Sequence, residues 1–112
     1  MLRRVLPCLL LPAVARAHSE LRAAQPADGE RLAAPPAELR LRFNEPVQVT
    51  LWRLRDAGGG EHMLARPRDA AARPEHIARP AALPAGEYSV EWRAISADGH
   101  PIRGTLRFTV AP

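Results

Sequence analysis

The chain has 112 residues; its 16 basic residues are all Arg, giving a formal net charge of +4 at pH 7. Arg3, Arg4 and Arg16 sit in the first 17 residues, which hold no acid, and the remainder carries 13 Arg against 12 Asp and Glu. With no basic run or stripe left, the electrostatic footprint of a nucleic-acid binder is excluded, and the length suits one small domain with one core. The 12 prolines are spread along the chain, which favours many short elements over long helices.

The first segment reads as an export leader. Met1-Leu2-Arg3-Arg4 is a short cationic start, Val5 to Val14 is apolar, and Ala15-Arg16-Ala17 is an A-x-A cleavage site. This apolar stretch falls far short of the ~20 residues a membrane-spanning helix needs, and no later stretch comes close. The expectation is a leader over residues 1–17 and an exported, periplasmic domain over residues 18–112 that is not embedded in the membrane. The only cysteine, Cys8, lies inside the leader. Once it is gone, disulfides, zinc–thiolate sites, cysteine nucleophiles and a blue-copper centre are excluded together. Cleavage also makes His18 the first residue, with a free α-amino group beside its imidazole.

The domain reads as strands. Leu39, Leu41 and Phe43 alternate with Glu38, Arg40 and Arg42, bounded by Pro35-Pro36 and Asn44-Glu45-Pro46. Val47, Val49 and Leu51 repeat the two-residue period up to Trp52. Asp56 to Gly60 is a turn leading to a weaker strand over Glu61–Ala65. Tyr88, Val90 and Trp92 form the clearest strand, and Ile102, Gly104, Leu106, Phe108 and Val110 form the last. Such alternation marks sheets with one face buried and one wet. Five to seven short strands predict an all-β fold, a two-sheet sandwich or small barrel. Arg66 to Ala82 has no sustained period and is expected to be a long crossing loop, with one turn of helix at most. Trp52, Tyr88 and Trp92 are expected in or near the core.

Four histidines could carry chemistry: His18, His62, His76 and His100. Asp98 and His100 are two apart, so in an extended segment both side chains leave the same side, with Gly99 between them letting the backbone bend. Alone, Asp-x-His is a weak signal that reads first as an ordinary turn. A terminal His18 can chelate a metal through its α-nitrogen and Nδ1, although alone it reads as an accident of cleavage. Together, His18, Asp98 and His100 offer three nitrogens and one oxygen, a set that suits the tetragonal preference of Cu(II).

Longer blocks carry a resemblance. They are Ala17-His18-Ser19-Glu20-Leu21, Gln25-Pro26-Ala27-Asp28-Gly29, the run from Pro35 through Phe43-Asn44-Glu45-Pro46-Val47, and Leu83 through Ser96-Ala97-Asp98-Gly99-His100-Pro101 to Gly104. Over essentially the whole domain the chain resembles the CopC family of periplasmic copper-resistance proteins. The resemblance implies a Greek-key β-barrel or sandwich of the immunoglobulin- or cupredoxin-like kind. It also implies a Cu(II) site with the amine and imidazole of His18, Asp98 and His100 as ligands. Glu45 matches a family carboxylate near that site; as a residue it reads equally well as a polar end to the strand before Pro46. Some family members hold Cu(I) at the opposite end through a Met-rich loop with a His. Here that region offers only His62, Met63 and His76, and a single thioether is a poor soft site. His62 and His76 are expected to be exposed loop histidines, and the chain a Cu(II)-only member.

The expected role is sequestration or delivery of Cu(II), with an inner-membrane copper transport protein as a partner and no nucleic acid. The alternative is a metal-independent immunoglobulin-like module that docks on an envelope partner. An enzymatic reading, by analogy with copper monooxygenases that use an N-terminal His chelate, is disfavoured: Asp98 would occupy the coordination plane, and so small a chain offers no large substrate face.

Overall fold

The computed structural model describes residues 19–69 and 71–112. The expected leader and His18 lie outside the described residues. Eight strands follow in order: β1 (Leu21–Gln25), β2 (Glu30–Leu32), β3 (Leu39–Asp56), β4 (Glu61–His62), β5 (Leu64–Ala65), β6 (Arg73–Pro80), β7 (Gly86–Ser96) and β8 (Pro101–Val110). Among the described residues every regular element is a strand, and no helix is long and apolar enough to cross a membrane. The strand order is β2-β8-β7-β3-β6-β5, with β1 and β4 also pairing with β3. All pairings are antiparallel except β2 with β8. The all-β expectation holds.

β3 organises the molecule. Its first part, Leu39 to Arg42, is flanked by β1 and β6, while Val47 to Asp56 pairs with β7. The sequence Asn44-Glu45-Pro46 was expected to separate two strands with a turn. Instead the chain runs through it as one 18-residue strand, and the punctuation appears as a register break: Arg42 pairs with Glu75, but the next pair is Val47 with Arg73. Pro46 and Pro74 lie inside this break, and neither has an N–H to give to a ladder.

A second irregularity corrects the expected phase. Val49 pairs with Ala94 but Leu51 pairs with Arg93, so Thr50 is an extra residue. The bulge turns Leu51 outward with Arg93 and brings Trp52 and Leu54 to the core side, because one added residue flips every later side chain to the other face. The core then combines Leu41, Phe43 and Val47 with Val90, Trp92 and Phe108 from the facing strands. Phe43 meets Trp92 edge-on with centroids 5.2 Å apart, and Tyr88 stacks on Phe108 at 5.4 Å. Trp52, Tyr88 and Trp92 are all buried, as expected.

The stretch from Arg66 to Ala82 is not one loop. Residues 73–80 form β6, which joins β3 to β5. Its buried face is carried by His76 and Ala78, so the period is present but not in large apolar residues. His76 is therefore no exposed loop histidine: it is 8% exposed. It lies 6.2 Å from the Phe43 ring in an edge contact, and its Nε2 approaches the carbonyl oxygens of Val47 at 2.9 Å and Arg73 at 3.1 Å. Carbonyl oxygens only accept, so Nε2 carries the hydrogen.

Candidate metal centre

The hairpin joining β7 to β8 holds the two predicted ligands within the described residues. The Gly99 N–H donates to the Ser96 carbonyl at 2.9 Å, the Ser96 N–H donates to the His100 carbonyl at 2.9 Å, and Gly99 has φ +88°. This is a tight turn closed by a left-handed residue, the conformation that glycine adopts without steric cost. Asp98 and His100 are thus brought together by a turn, not by the side-chain alternation of an extended segment.

The turn builds its own small network. The Ser96 hydroxyl, on a buried residue, donates to Asp98 Oδ1 and accepts the His100 backbone N–H at 3.1 Å. His100 Nδ1 lies 2.9 Å from Asp98 Oδ2. Because an ionised carboxylate only accepts, Nδ1 carries the hydrogen, and Nε2 presents its lone pair outward. The Ser96 hydroxyl first, then the His100 imidazole, hold the Asp98 carboxyl down at about 2. Ser96 was missed by sequence reasoning. Its signal was available: a Ser two residues before an Asp in a Gly-containing turn has its hydroxyl within reach of that carboxylate.

The described chain begins close to this hairpin in the pairing pattern. The Glu20 N–H donates to Asn44 Oδ1 at 2.8 Å, and the Asn44 N–H donates to the Glu20 carbonyl at 3.1 Å. Asn44 is three residues along β3 from Val47, whose partner is Ser96. Glu45 lies between them, half-buried in the register break. Its carboxylate makes no ion pair among the described residues, and it stands two residues along β3 from Val47, the partner of Ser96 on β7.

His62 and His76 are not brought to this end. His62 pairs with Leu54 near the far end of β3, and its Nε2 donates to Asp56 Oδ2 at 2.8 Å. That hydrogen bond, with the Gly60 and Gly58 N–H groups, holds the Asp56 carboxyl below its ordinary value. The His62 ring also meets Tyr88 edge-on at 5.5 Å. His62 therefore ties the β3–β4 turn, and Met63 beside it is 85% exposed. Among the described residues no group of three His, Cys, Asp or Glu side chains could hold a metal ion. Asp98 and His100 supply two donors, one carboxylate and one imidazole. That is a fragment suited to a borderline divalent ion and in need of further ligands.

Comparison with known proteins gives a consistent result. The CopC domain family model matches residues 21–111. The chain is 35% identical over 112 residues to copper resistance protein C of Pseudomonas syringae pv. tomato, covering 91% of this chain and 87% of that protein. It is 26% identical over 106 residues to copper transport protein CutJ of Bacillus subtilis (strain 168), where it covers 91% of this chain but spans only 20% of CutJ. Among solved structures, CopC from Methylosinus trichosporium OB3b is similar with a TM-score of 0.72 at 30% identity, covering 85% of this chain and 95% of that one.

Proposed function

The chain belongs to the CopC family, and from that premise we propose that it is an exported, periplasmic protein that holds Cu(II) at the β7–β8 hairpin and delivers or sequesters it. It is a copper-binding protein of copper resistance, and we read it as a carrier, not an enzyme. The ligands are His100, Asp98 and the α-amine and imidazole of His18, exposed once the leader over residues 1–17 is removed. Glu45 adds negative charge beside them. The observation that carries this reading is the pairing of Asp98 and His100 in a turn at the end of β7, with Ser19-Glu20 arriving alongside Asn44.

This chain's own groups define what happens on binding. The imidazole of His100 offers Nε2 while Asp98 fixes the hydrogen on Nδ1. A terminal amine and its imidazole close a chelate that needs cleavage and no fold. Copper is the cargo, and the donors are nitrogen-rich, which favours Cu(II) over the softer Cu(I). The contact of Nδ1 with Asp98 at 2.9 Å favours a second reading for that carboxylate: it orients the imidazole and does not itself bind the metal. The two readings differ in the equatorial ligand set: Asp98→Asn should shift the g and hyperfine values of the Cu(II) electron spin resonance spectrum if the carboxylate binds the metal, and leave them unchanged if it only orients the imidazole.

As a fifth of a copper transport protein is similar to this chain, we take its partner to be an inner-membrane copper transport protein. The deciding experiment compares the mature chain beginning at His18 with one carrying an extra Gly before it. Cu(II) affinity is expected to drop at least about a hundredfold while the fold is unchanged, an effect of the size expected when a metal loses a chelating ligand. Equal affinity would place the metal elsewhere. A fold indifferent to copper in both forms would return the chain to a metal-independent docking role.

A further inference from the structure

Arg93 on β7 and Arg103 on β8 are direct cross-strand partners, and both are exposed. Like charges opposite each other in an antiparallel pair destabilise it. Little offsets this one: the Arg93 side chain reaches only Glu91 on its own strand, at 3.4 Å, and the Arg103 side chain makes no hydrogen bond or ion pair among the described residues.

Two places nearer the hairpin, on the same face, Ile95 pairs with Pro101. Ile95 is 38% exposed, unusual for a large apolar side chain here. These four residues, with Thr50 at the bulge, line a groove of about 410 Å³ on the outer face of the sheet. The groove abuts the loop that holds Asp98 and His100. The charge around it is one-sided. Outward positions of β7, β8 and β3 beyond the bulge carry Arg53, Arg55, Arg93, Arg103 and Arg107 against Glu87 and Glu91. Over the whole chain after residue 17, by contrast, Arg and acids nearly balance.

We propose that this groove is a docking surface for an acidic segment of a partner protein. One carboxylate seats between Arg93 and Arg103, and an apolar side chain lies against Ile95 and Pro101. A carboxylate there turns a repelling pair into a bridged one, and two guanidinium forks match its planar geometry. The apolar pair beside them favours a peptide side chain over a bare charged surface. The inference rests on the copper-carrier reading for what passes between the partners, while the surface stands on its own residues.

The test uses the ¹⁵N-labelled mature chain and a synthetic peptide rich in Asp and Glu with one Leu, against the same peptide with Asn and Gln. Backbone amide shifts are expected at Thr50, Arg93–Ile95 and Ile102–Arg103. Affinity should fall about tenfold or more in R93E/R103E, as for charge reversal across a complementary interface. It should also weaken as salt rises from about 50 to about 300 mM. The control R42E/R79E, on the first part of β3 and on β6, should bind as the wild type does. Shifts elsewhere, equal loss in the control, equal binding of the neutral peptide, or no binding at all would overturn the proposal. So would tighter binding to phosphatidylglycerol vesicles than to the peptide, which would assign the face to a membrane. Cu(II) titration of R93E/R103E separates the readings: it should bind copper as the wild type does. A wild type that binds the peptide but no copper would sink only the carrier reading.

Discussion

His76 donates through Nε2 to the carbonyl oxygen of Val47 at 2.9 Å, tying β6 to β3 where the ladder between them is broken. Val47 is also the residue whose partner on β7 is Ser96. A buried imidazole thus fixes the backbone that positions the base of the hairpin proposed to hold copper, in a stretch where two prolines cannot supply ladder donors.

Replacing that donor while keeping a ring isolates its contribution. His76→Phe preserves edge packing against Phe43 but removes the hydrogen from Val47 and Arg73. Unfolding free energy should fall by about 1–3 kcal/mol, the cost of leaving buried acceptors without a donor. Urea titration monitored by tryptophan fluorescence measures it, and an unchanged midpoint would mean that the contact adds nothing.

Two pH windows should separate. The Asp98 carboxyl is held at about 2 by Ser96 and His100, so it remains ionised throughout mild acid. With the ligand set proposed above, Cu(II) affinity is expected to fall between about pH 8 and about pH 5 as protons compete for the nitrogen lone pairs, and not through Asp98. The fold responds lower down. Asp56, Asp69 and Asp98 are all depressed in the folded state. Their contribution is fully present above the unfolded carboxylate value of about 3.9 and is lost as pH falls through the folded values. Calorimetry of the metal-free chain should show a level Tm above about pH 5 and a decline toward about pH 2. A Tm that dropped in step with copper affinity would contradict this separation.

Gly104 is required by its neighbour. A Cβ at this position would lie 2.6 Å from Trp92 Cζ2 and 2.8 Å from Nε1, so the indole rests on bare backbone. Gly104→Ala must displace a buried ring and should lower stability by about 1–3 kcal/mol despite the stiffer backbone. Thermal unfolding reads the loss, and near-ultraviolet circular dichroism should show the tryptophan moving. A stabilised variant with an unaltered spectrum would show that the ring yields freely.

The parts of the fold legible in advance were those whose period is written in large apolar residues. Tyr88-Val90-Trp92 and Leu106-Phe108-Val110 alternate without interruption, and both became strands as read. β6 was hidden because His76 and Ala78 carry its buried face, one polar and one small. β1 has the same problem, with only Leu21 and Ala24 half-buried. The phase beyond Val49 was misread because a bulge leaves no mark in composition; Thr50 looks like any outward strand residue. For the candidate site, spacing brought Asp98 and His100 to notice, but their contact depends on the Gly99 turn and the Ser96 hydroxyl. Those are three-dimensional facts that a two-residue spacing does not contain.

β3 serves the β1–β6 side with its first part and the β7 side with its second, without a chain break between them. Detaching either side would strip hydrogen bonds from a strand that the other still needs, so partial opening exposes core on both. Amide exchange should therefore give similar protection at Leu41 and Leu54, although they face different neighbours. The domain melts as a unit, and it has no half to give up first.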